Sequence, residues 1–245
     1  MDSEPACSVN WMYRSKNSYK MLIRWLATIC VVIATGCSSG PSRVDAPEVV
    51  PDEVAQNLMD QYDENSDGSL SDDEVSNCPA IASSKRKYDQ DGNGSIDKQE
   101  ISRRLTNIYS DRIGIFQLHA NVMLDGRPLR NALITLVPEQ SMEASLAPAT
   151  GTTDHNGRAV LGLSESDTPS ELRGIVRGVQ TGLYRIRVTS DKESLGDDIE
   201  NGTVLGEEIT PVDGDRGIQL RISRRRANRT GRNAARPAKG MYLSQ

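Results

Sequence analysis

The sequence predicts a multidomain α plus β chain, in which a small helical unit is followed by an antiparallel β-sandwich. Three observations carry this expectation. Two twelve-residue segments, residues 63–74 (DENSDGSLSDDE) and 89–100 (DQDGNGSIDKQE), repeat one pattern of oxygen-bearing side chains, a glycine and a closing glutamate. Apolar residues on either side of them recur at helical spacing. From about residue 113 the period changes to alternation, punctuated by clusters of Gly, Asp and Ser. A chain of 245 residues is long enough for two small domains.

Residues 1–36 read as a targeting segment. Arg14, Lys16, Lys20 and Arg24 lead into the apolar run WLATICVVIAT, too short to span a bilayer but suited to a secretory signal core. The run ends at ATGCSSG, with Gly36 directly before Cys37. This resembles a bacterial lipoprotein signal, which implies that Cys37 is acylated as the first residue of the mature protein. Ala34 departs from the more usual leucine, and the long lead leaves Met12 and Met21 open as the true start. The expected location is exported and lipid-anchored, in the cell membrane or outer membrane, facing the periplasm or cell surface. Residues 37–51 are small, polar and proline-containing, and read as a tether. Cysteine usage agrees. Cys7 and Cys30 leave with the signal and Cys37 goes to lipid, so Cys78 alone cannot form an internal disulfide. Beside Pro79, Cys78 reads as a packing residue.

Residues 52–110 form the helical unit. Val54, Leu58, Met59 and Tyr62 share a helical face, as do Ile101, Leu105 and Ile108. Calcium takes about six to eight oxygens, so a single loop must curl round it with ligands at alternate positions. In the first loop Asp63, Asn65 and Asp67 offer side chains, Ser69 its carbonyl, Ser71 a hydroxyl or held water, and Glu74 both carboxylate oxygens. The same roles fall to Asp89, Asp91, Asn93, Ser95, Asp97 and Glu100 in the second, giving two calcium ions in all. Gly68 and Gly94 stand where the chain must turn through a conformation costly for other residues. Ser71 and Asp97 open capping boxes, and Leu70 can pair with Ile96 across the loops.

These residues resemble the EF-hand family at every ligand position. Only residues 75–88 separate the loops, and Pro79 interrupts them, so the helices between must be short. A short pair has little helix to swing, which favours structural calcium over a switch. Asp91 and Asp97 replace Asn65 and Ser71, so the second loop is expected to fill first.

Residues 113–222 read as the sandwich. Phe116, Leu118, Ala120 and Val122 share one strand face, Asp125-Gly126 makes a turn, and ALITLV supplies the next strand. RAVLGL, GLYRIRVT and GIQLRI follow, and the TDHNG turn ends at Gly157. Arg185 and Arg187 alternate with Tyr184, Ile186 and Val188 and read as a solvated face. The runs VMLDGRPLRNALITLVPE, GTTDHNGRAVL and GLYRIRVT resemble the carboxypeptidase-regulatory-like, transthyretin-like family. That resemblance implies an immunoglobulin-like β-sandwich used for interaction, with no catalytic residues.

Residues 223–245 are rich in arginine and poor in apolar residues, and read as a basic disordered tail. The tail lacks the interleaved aromatics that stack bases, and an exported chain meets no nucleic acid, so none is expected as a partner. The formal net charge of −5 adds an acidic loop region to this basic end and identifies no partner. With only His119 and His155, the chain has no metal triad of histidines, and no nucleophile elbow accompanies them. No enzymatic activity is expected. The expected function is a calcium-binding cell-envelope lipoprotein, held to the membrane by its lipid and presenting a sandwich to a protein or glycan. The alternatives are a calcium-responsive regulator and a dockerin-like adaptor.

Overall fold

The computed structural model describes residues 44 and 46–224. The targeting segment, Cys37, most of the tether and the tail from residue 225 lie outside these residues. Among the described residues, no helix is long and apolar enough to cross a membrane.

Helix α1 (Pro51–Tyr62) begins with proline, which has no N–H to leave unpaired, and carries Asp52 and Glu53 in its first turn. It buries Val54, Ala55, Leu58, Met59 and Tyr62. The first loop follows and ends in β1 (Ser69–Leu70) and α2 (Asp72–Ser76). Pro79 then opens α3 (Pro79–Ala82), and α4 (Lys85–Tyr88) leads into the second loop. The proline therefore does what the sequence implies: three helices of four or five residues replace two long ones. Beyond the second loop come β2 (Ile96–Asp97) and α5 (Lys98–Tyr109). Helices α1 and α5 pack together, and Leu58 and Leu105 are fully buried. Truncating either to alanine is expected to cost about 2–5 kcal/mol in lost packing.

The remaining strands are β3 (Leu118–Leu124), β4 (Arg127–Pro128), β5 (Ala132–Pro138), β6 (Ala149–Thr152) and β7 (Arg158–Leu163). After them come β8 (Gly182–Ser190), α6 (Asp197–Glu200), β9 (Gly206–Ile209), α7 (Pro211–Arg216) and β10 (Ile218–Ile222). They form one curled, sandwich-like sheet in the order β10-β3-β7-β6-β5-β8-β9, with β4 also paired to β3. Inward side chains include Leu118 and Val122 of β3, Ile134 and Leu136 of β5, and Ile186 and Val188 of β8. A bridge between Phe116 and Val179 joins the segments that lead into β3 and β8.

One pairing departs from the expected antiparallel arrangement: β10 runs parallel to β3, with Leu220 opposite Val122. The chain leaves β9 at one end of the order, passes through α7 against β3, and enters β10 at the other end. Such a crossover lets two strands run the same way.

The helices and the sheet belong to one compact unit, and their buried apolar residues form one continuous cluster. Helix α3 lies across β8 and β9. Gly206 permits this contact, because a Cβ there would meet the Ala80 nitrogen at 2.4 Å and the Pro79 carbonyl carbon at 2.6 Å. At the end of α5, the Tyr109 hydroxyl donates to the Thr181 carbonyl at 2.6 Å.

Candidate metal centre

The two loops are built alike. In the first, the Asp67, Gly68 and Ser69 amides donate in turn to Asn65 Oδ1 (2.8 Å), Asp63 Oδ2 (3.0 Å) and Asp67 Oδ1 (2.9 Å). In the second, the Asn93, Gly94 and Ser95 amides donate to Asp91 Oδ1 (3.0 Å), Asp89 Oδ2 (3.1 Å) and Asn93 Oδ1 (2.8 Å). Each chain of side-chain acceptors turns its loop inward, and each turn passes through glycine at positive φ, +86° at Gly68 and +91° at Gly94. An L side chain would be strained at both.

The loops then meet as a two-stranded ribbon, with Leu70 opposite Ile96 and Ser69 opposite Asp97. Both apolar residues are fully buried, so the ribbon fixes the loops back to back. Ser71 and Asp97 cap α2 and α5 through reciprocal capping boxes with Glu74 and Glu100. The same two glutamates reach back across their loops. Glu74 Oε1 accepts from the Glu64 and Asn65 amides, at 3.0 and 3.3 Å. Glu100 Oε1 accepts from the Gln90 and Asp91 amides, at 2.8 and 3.4 Å. Hydrogen bonds from Ser71 hold the Glu74 carboxyl below its ordinary range.

Glu74 and Glu100 are only 6 % and 4 % exposed, and among the described residues no basic side chain pairs with either. Buried carboxylates are ordinarily paired or bound to a metal. In the second loop the donor atoms of Asp89, Asp91 and Glu100 lie within 4.8 Å of one another, close enough to share one ion. Among the described residues this is the one such acidic group. The first loop has the amide of Asn65 at the position of Asp91, and its acids Asp63, Asp67 and Glu74 are not gathered in this way. The donor set of oxygens alone fits a hard divalent cation in both loops.

Two further carboxylates, unmarked by any sequence pattern, stand behind the loops. Glu139, at the end of β5, accepts from the Tyr62 hydroxyl at 3.1 Å, and Tyr62 directly precedes Asp63. Arg185 of β8 approaches the same oxygen at 3.6 Å. Arg185 therefore departs from the solvated face expected of it, while Arg187 remains exposed. Burial raises Glu139 above its ordinary value, against the opposing pull of Arg185. Cys78 lies in the same cluster. Burial first, and Glu139 second, push its thiol up to about 12, in keeping with a packing role.

Glu208 of β9 is fully buried and accepts from Arg104 Nε of α5 at 2.9 Å and from Lys87 Nζ of α4 at 3.1 Å. A second Arg104 nitrogen reaches its other oxygen, making a bidentate pair. Burial alone would push Glu208 up, but the Arg104 hydrogen bonds and the Lys87 charge outweigh it and hold the carboxyl below its ordinary range. Tyr88, directly before Asp89, is fully buried with its hydroxyl beside Glu208 but short of a hydrogen bond. Glu208 and its neighbour Ile209 are both buried, so alternation along GEEI gives no sign that Glu208 faces inward, and nothing local names its partners.

No family model, curated protein or solved structure matches this chain. The functional reading therefore rests on the residues themselves.

Proposed function

We propose that residues 63–74 and 89–100 are an EF-hand pair that binds two calcium ions, in an exported, non-enzymatic lipoprotein of the cell envelope. The carrying observation is the pair of buried glutamates, Glu74 and Glu100, that close two like-built loops without any basic partner among the described residues. Asp63, Asn65, Asp67, Ser69, Ser71 and Glu74 would hold one ion, and Asp89, Asp91, Asn93, Ser95, Asp97 and Glu100 the other. Calcium bound only by the folded form stabilises it by mass action. The short helices α2, α3 and α4 support a structural role for the metal. The sheet, read as an immunoglobulin-like module similar to carboxypeptidase-regulatory-like sandwiches, would present its open face to a protein or glycan. Cys37 would carry the lipid that holds the protein at the membrane.

A calorimetric calcium titration of the full-length chain tests this reading. Two binding events are expected, the tighter one lost in Glu100→Gln and the weaker one in Glu74→Gln. A native chain that takes up no calcium would sink the proposal.

A further inference from the structure

Glu208 joins the two helices on which the second loop is strung. Helix α4 ends at Tyr88, and Asp89 caps it directly. Helix α5 carries Glu100 in its first turn and Arg104 one turn later. Lys87 from the first helix and Arg104 from the second converge on one carboxylate of β9, whose side chain is fully buried. A buried carboxylate that lost either cation would be left undercompensated, so docking of β9 demands both at once. Close seating of α3 over Gly206 leaves little room for the helical layer to slide along β9.

We infer that Glu208 is a positioning residue for the second metal loop, setting the separation of α4 and α5 at which Asp89 and Glu100 can reach one ion together. This rests on the calcium reading above. A metal bridging Asp89 and Glu100, and a carboxylate bridging Lys87 and Arg104, select the same arrangement of the same two helices. Two ligands that favour one arrangement assist each other, and the assistance is equal in both directions. Calcium in the second loop therefore tightens the seating of β9, and Glu208 tightens calcium. No equivalent carboxylate clasps α1 to α2 around the first loop, since Glu139 receives Tyr62 of α1 and no side chain of α2 among the described residues.

The test compares calcium titrations of the full-length native and Glu208→Gln chains, together with hydrogen exchange at β9 with and without calcium. In Glu208→Gln the second site is expected to weaken by roughly 10-fold, within the usual range of coupling between sites, while the first site is unchanged. A purely structural role for Glu208 would lower the melting temperature and leave the ratio of the two affinities alone. In the native chain, calcium is expected to slow amide exchange at residues 206–209. Should Glu208→Gln not fold, this exchange measurement on the native chain decides by itself. Two bound ions with the same affinities in both chains, or β9 exchange indifferent to calcium, would overturn the inference and leave the calcium reading standing. A native chain that binds no calcium would overturn both.

Discussion

Glu139 and Glu208 invite comparison, because each is a fully buried carboxylate of the sheet facing a tyrosine that directly precedes a loop. Their surroundings differ sharply. Glu208 receives two cations from the helical layer, one of them bidentate. Glu139 receives one neutral hydroxyl from that layer, and its nearby cation, Arg185, comes from its own sheet. One Glu139 oxygen has no hydrogen-bond partner among the described residues. The electrostatic outcome follows: the carboxyl of Glu208 is held below its ordinary range, and that of Glu139 is raised above it. Two residues of one type at one kind of boundary thus hold it differently, the first by charge and the second by packing.

The largest test of this contrast is truncation. Glu208→Ala leaves Lys87 and Arg104 facing a cavity and is expected to cost about 3 kcal/mol, the low end for a broken buried pair because both cations keep some contact with water. Glu139→Gln keeps the contact with Tyr62 and removes an unfavourable buried charge, so its change in denaturant midpoint should be small. Similar midpoints for the two variants would erase the distinction.

A smaller effect is expected from Gly206→Ala, whose new methyl would strike backbone atoms of Pro79 and Ala80. Overpacking of this kind costs about 1–3 kcal/mol. If seating on β9 matters to the second loop only, this variant should weaken the tighter calcium event and spare the weaker one, as calorimetry would show.

The smallest effect is on pH dependence, and it has opposite signs at the two sites. A carboxyl raised on folding, as in Glu139, stabilises below its ordinary value of 4.5, and that contribution is lost as pH rises through the raised value. A carboxyl depressed on folding, as in Glu208, stabilises above 4.5, and its contribution is lost as pH falls through the depressed value. Denaturant unfolding across this range should show Glu139→Gln removing the loss on the alkaline side and Glu208→Gln removing the loss on the acid side. Identical pH profiles for the two variants would contradict the assignment.

What was legible in the sequence was local. The spacing of both loops, the capping boxes at Ser71 and Asp97, the Leu70–Ile96 pair and the short helices round Pro79 are all written within a few residues, and each has its counterpart in the structure. Strands with clear alternation, β3, β5, β7, β8 and β10, were legible for the same reason. Besides the two-residue β4, two strands were not. ATGT in β6 has only Ala149 and Gly151 facing inward, too small to announce a buried face. GEEI in β9 places charge at a buried position, which alternation alone reads as surface. The clasp on Glu208 lies further from local pattern still, since its partners stand 104 and 121 residues away along the chain. Nor does any local signal say that β10 would arrive parallel to β3, because that depends on where the crossover through α7 returns. The candidate ligands were readable; the residues that position them were not.

Strand β9 ends the sheet order, paired on one side to β8 alone, with α3 seated over it by way of Gly206. A terminal strand carries unpaired backbone groups that can recruit a strand from another molecule. Seated over β9 at Gly206, the helical layer restrains the strand that bears this edge as well as supporting the loops. Wherever that layer loosens, whether through a lost ligand or a lost clasp, the first consequence to look for is oligomers joined through β9.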